Sequence, residues 1–116
     1  MNEELKTEVF GMAKQYELAV KSRIGLQKLY NQYKFDIESH EKRVQRDVAM
    51  AKDALGKPQY PNDTGRNAEI FDRLNKDDQY KRLVDMAESV KDQLVEEDGN
   101  IEIARMTMKA YDILTR

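Results

Sequence analysis

The sequence predicts an all-α fold: a long antiparallel helical hairpin, two long helices plus a short helix at the turn, self-associating into a helical bundle. Three observations predict it. Apolar residues recur at alternating steps of three and four on both sides of the midpoint. Both prolines and two of the five glycines fall in one central stretch, ALGKPQYPNDTGRNAEI, from Ala54 to Ile70. The two apolar stripes match in register when the chain is folded back about that stretch. The chain reads as one domain of 116 residues, 36% charged and 40% apolar, with no Trp. Such a mix suits long helices better than a sandwich or barrel.

The first long helix is expected over 3–55. Val9, Tyr16, Tyr30 and Ile37 take position a of a heptad, and Leu5, Met12, Leu26 and Tyr33 take position d. Arg23 and His40 interrupt this stripe, which drifts beyond Val44 through Val48 and Ala51. Gly56 then follows Leu55 as a helix-ending glycine should, and Pro58 blocks continuation. The turn is expected over 56–62. A short helix follows over 63–74, capped by Asn62 or Asp63, with Ile70, Phe71 and Leu74 on one side. Asn62-Asp63-Thr64 matches a glycosylation sequon and is read instead as this helix start. Gly65 in the first turn predicts a ragged beginning.

The second long helix is expected over 76–114, capped by Asn75, with Asp77 and Asp78 beside its positive end. Its stripe runs through Tyr80, Leu83, Ala87, Val90, Leu94, Glu97, Ile101, Ala104, Met108 and Tyr111. Gly99 is a possible break; a continuous helix is the favoured reading. One register sets Met12 against Met108, Leu26 against Leu94, Ile37 against Leu83, Tyr16 against Ala104 and Tyr33 against Ala87. In the last two pairs, and in Ala19 against Ile101, large opposes small, as core filling requires. The same register forms polar layers of Arg23 with Glu97 and of His40 with Tyr80. Residues 1–58 carry net charge +2 and residues 59–116 carry −4, which favours pairing of the two arms.

Some apolar residues lie off the stripe: Phe10, Val20, Ile24, Ile103, Met106 and Ile113, together with Leu18, Leu29 and Leu114. A two-helix hairpin buries one stripe per helix. The favoured expectation is therefore a homo-oligomer, dimer or tetramer, joined at the end carrying the termini. Gly11 and Gly25 share a heptad face there and would permit close helix approach. The alternative is a fold-back at Gly99 that covers these residues within one chain.

Catalytic, cofactor and metal residues are not expected. Cysteine is absent, which removes thiolate chemistry. His40, the only histidine, has no partners at a catalytic or ligand spacing. The acidic run around Gly99 fails the EF-hand pattern, since Leu94 and Arg105 fall where carboxylates are required. LGKPQ lacks the glycine spacing of a phosphate loop. Neither an export signal nor a membrane span is seen, so a cytoplasmic location is expected. The turn-proximal part, from His40 to Arg82, carries ten basic and eight acidic residues. Lys42, Arg43, Arg46, Lys57, Tyr60, Arg66 and Arg73 are the candidates there for contact with a protein partner or nucleic acid. The interleaved acids make nucleic acid the less favoured reading.

The run AKDALGKPQYPNDTGRNAEIFDRLNKDDQYKRL, residues 51–83, resembles a pattern in small coiled-coil proteins of phages and integrated mobile elements. The resemblance rests on Gly56, Lys57, Pro58, Tyr60, Asn62, Arg66, Glu69, Leu74, Asp78 and Tyr80. It implies a helical-hairpin turn and no catalytic residue. It also implies a phage accessory role linked to DNA replication or recombination; modulation of a host protein is the other accessory role expected. Thr64-Gly65 departs from the acidic helix start of that pattern.

Overall fold

The structure, a computed structural model, describes residues 3–116 and is an all-α long helical hairpin. Helix α1 spans Glu3–Met50, α2 spans Asp63–Lys76 and α3 spans Asp78–Leu114. The chain forms two compact units: residues up to Tyr30 with Ser89–Arg116, and Asn31–Glu88. Among the described residues, no helix is long and apolar enough to cross a membrane.

In the first unit α1 and α3 run antiparallel. The Tyr111 hydroxyl donates to the Glu8 carboxylate. Further along, the Ser22 hydroxyl donates to Glu97 Oε2 at 3.1 Å and Arg23 Nε donates to Asp98 Oδ1 at 2.6 Å. Val90 and Leu94 are buried, and the a and d residues Met12, Tyr16, Leu26, Ile101 and Met108 are half-buried. α3 passes through Gly99 without interruption, so the fold-back alternative fails. Phe10, Leu18, Ile103 and Leu114 remain exposed, by 73%, 55%, 65% and 82%.

In the second unit α1 is shorter than its stripe suggested. It stops at Met50 rather than near Leu55, because Asp53 offers the backbone another partner. Asp53 Oδ1 accepts from the amides of Leu55 at 2.9 Å and Lys57 at 3.0 Å. Side chains of this kind compete with helix continuation. Asp53 N donates to Lys57 O and Gln59 N to Ala51 O, which closes a small hairpin over 51–59. Gly56 has φ +79°. It occupies the left-handed position of this three-residue hairpin loop rather than the end of a helix. Leu55 stands at the tip, 82% exposed.

α2 begins in an ordered way. Asn62 Oδ1 accepts from Gly65 N at 2.8 Å, and an added Cβ at Gly65 would stand 3.2 Å from that oxygen. Glycine at this position keeps the cap uncrowded, where the sequence suggested a frayed start. α2 runs to Lys76, past the expected end at Leu74, and only Asp77 separates it from α3. Asp77, not Asn75, caps α3: its Oδ1 accepts from Gln79 N at 3.0 Å and Tyr80 N at 3.1 Å. An aspartate here satisfies orphan amides and sits favourably at the positive helix end.

Two outcomes test these turns. Asn62→Ala should lower stability by about 1 kcal/mol in urea unfolding, with Asn62→Asp close to wild type. Asp53→Ala should cost about 1 kcal/mol through its two lost bonds, with total helicity by circular dichroism rising slightly as α1 extends toward Leu55.

Candidate interaction surfaces and the buried histidine

His40 is the one buried polar side chain among the described residues. It stands a helical turn before Val44, on the stripe that faces inward. Its ring centroid lies 6.0 Å from that of Tyr80, tilted by 36°. Two contacts the sequence did not indicate complete its surroundings. Nε2 lies 2.7 Å from Asp77 Oδ2, and Nδ1 lies 3.0 Å from Arg43 Nη2. A guanidinium only donates, so Nδ1 accepts and the ring proton resides on Nε2, aimed at Asp77. Burial pushes the Tyr80 hydroxyl above its ordinary value, and the nearby Glu41 carboxylate adds to this. The cluster joins α1 to the α2–α3 junction. Asp77 was legible as an acidic helix start, but its reach to His40 depends on the one-residue break.

The Arg23 layer also differs from expectation. Arg23 pairs with Asp98 rather than Glu97, and Glu97 receives the Ser22 hydroxyl. The long Arg23 side chain carries its charge to the edge of the pair, where Asp98 is solvated. The shorter serine fills the space beside Glu97. Tyr111, hydrogen-bonded to Glu8, is held above its ordinary value chiefly by that carboxylate.

Most turn-proximal basic candidates already have local partners. Arg43 is committed to His40, Arg46 lies 3.8 Å from Asp47 and Arg73 pairs with Glu69 at 2.8 Å. Arg66 bonds both Asp63 and the Tyr60 carbonyl. The Glu69 carboxylate, with the Tyr60 hydroxyl, holds the Arg73 guanidinium above its ordinary value. Lys42 and Lys57 are exposed. Local pairing lowers the field these side chains project. In the same unit, Ile70, Phe71, Leu74, Tyr80 and Val84 line a groove of about 520 Å³ between α2 and α3, and Phe71 is 72% exposed.

The first unit carries a second groove of about 520 Å³. Met12, Leu18, Ala19, Ile103 and Ala104 line it, with Gln15, Ser22, Glu97, Asn100 and Thr107. In the heptad these are all c, d and g positions, so the groove is one side of the helix pair. Of the six self-association candidates, only Ile103 stands here. Phe10, Val20 and Ile24 fall in the b and e positions of α1, Met106 and Ile113 in the f position of α3, and Val20 is half-buried. Gln15, Ser22, Asn100 and Thr107 are polar and so lie outside any set chosen for large apolar side chains. The sequence signal that marks them is a missing one: no charge in these g positions of a highly charged chain.

Compared with known protein families, curated proteins and solved structures, the chain matches none.

The Asp77 carboxylate is held below its ordinary value of 3.8, first by the Tyr80 amide and then by His40. A depressed carboxylate contributes stability that is complete above the unfolded value and is lost as pH falls through the lower folded value. Asp77→Asn keeps the helix cap but not the charge, and its amide meets the His40 Nε2–H. This variant should be less stable at neutral pH, and the gap to wild type should narrow below pH 3.8. Thermal unfolding followed by circular dichroism across the acid range checks this; a constant gap would contradict it.

Proposed function

We propose that the chain is a non-enzymatic helical-hairpin interaction protein that self-associates through the unit carrying its termini. One observation carries the reading. α1 and α3 each cover one stripe of the other, leaving Phe10, Leu18, Ile103 and Leu114 in water. Apolar side chains at this density along a helix pair are a surface for further helices. The turn is the second presenting element. Asp53 and Gly56 hold Leu55 at the tip of an ordered hairpin, a shape suited to a protein partner. The resemblance of residues 51–83 supplies the setting: an accessory protein of phages or integrated mobile elements, acting in DNA recombination or replication or on a host protein.

Sedimentation equilibrium tests the self-association. The wild-type chain should sediment at a multiple of its 13.6 kDa mass, with the apparent mass rising with concentration. A mass fixed at the monomer over the accessible range would overturn the reading.

A further inference from the structure

We infer that the groove side of the first unit is a homodimer face, with a second copy of this chain docked across it about a two-fold axis at Leu18. The inference rests on the self-association proposed above and adds which face is used, by which occupant and in which orientation.

Three observations converge on this side. The first is charge. The c and g positions from Gly11 to Leu29 are Gly11, Gln15, Leu18, Ser22, Gly25 and Leu29, without a charge among them. The facing c and g positions of α3, from Gln93 to Leu114, carry one charge, Glu96; the d-position Glu97, which also lines the groove, has its carboxylate bonded by the Ser22 hydroxyl. The opposite side of the same pair, over the same stretches, holds Glu17, Asp98, Glu102, Arg105, Lys109 and Asp112. A symmetric dimer sets each patch against itself. A charged patch would then meet like charge, whereas uncharged amides and hydroxyls donate and accept on both copies.

The second observation is the glycines. Gly11 and Gly25 lie within α1 with ordinary helical φ, and nothing stands within 4 Å of an added Cβ at either. No contact within the chain requires glycine there, and each weakens the helix relative to alanine. Close approach of another backbone is the packing that makes use of both. The third observation is symmetry. Gly11 and Gly25 flank Leu18 at equal spacing. An axis at Leu18 brings Gly11 against the second copy's Gly25 and leaves the two leucines to pack beside the groove. The exposed Ile103 on α3 then lies close to its own symmetry mate.

Sedimentation of three full-length variants tests the face. Gly11→Gln/Gly25→Gln introduces better helix formers, so helicity and thermal stability of the monomer should hold or rise. Its dimer dissociation constant should increase by about tenfold or more. Leu18→Glu should do the same by setting carboxylates against each other. Phe10→Glu/Ile24→Glu, on the other side, should leave dimerisation within about twofold of wild type. If the wild-type chain associates but the glycine variant associates equally well, the assigned face is wrong and self-association stands. The same follows if only Phe10→Glu/Ile24→Glu disrupts the dimer. A monomeric wild type removes both.

Discussion

Two paired helices can cover only one stripe of each other, and much of this molecule follows from that limit. Where a and d residues meet, side chains are buried or half-buried: Ala87, Val90 and Leu94 on α3, Tyr16, Leu26 and Ile37 on α1. Most of the remaining surface is left to solvent. A chain that is 36% charged can dress these outer lanes with lysine and glutamate, and on most of its circumference it does. Pairs such as Glu17 with Lys21 and Asp72 with Lys76 lie along single helices and are well solvated. Such pairs add little stability but keep the surface wet. The lanes that depart from this pattern are where a further surface has to be sought.

Asp77 shows a different economy. One carboxylate caps α3 through Oδ1 and meets His40 through Oδ2. The histidine is thereby fixed in one tautomer, with Arg43 on its other nitrogen. A buried polar ring is costly when unsatisfied, and here both nitrogens have partners. Helix start and interior polar contact are therefore one feature.

The heptad made the stripe legible almost residue by residue, because burial follows periodicity and periodicity needs no knowledge of partners. His40 and Tyr80 were placed in one layer by register alone. Partner choice was less legible. Arg23 reaches Asp98, one residue beyond Glu97, because a long flexible side chain escapes the layer its backbone occupies. The end of α1 was misplaced because Ala54 and Leu55 continue the apolar pattern while Asp53 decides the backbone. Its effect lies in a carboxylate bonding two amides ahead of it, which hydrophobic spacing does not register. Asn75 was the expected cap with Asp77 inside the first turn, whereas α2 runs on through Asn75 and Asp77 Oδ1 takes the Gln79 and Tyr80 amides. Of the groove side, the apolar edges were visible in the sequence. The uncharged residues between them carry no signal unless lanes are compared with one another.

The single-residue joint at Asp77 has a mechanical consequence. With helix on either side, the direction of the fourteen-residue α2 rod is set by one φ, ψ pair, −86° and 105°. A lever pivoting on one peptide amplifies small rotations at its root into displacements of several ångströms at its tip. The grip of one imidazole on one carboxylate brakes that pivot, together with the half-buried Ile70 and Leu74 of the rod itself.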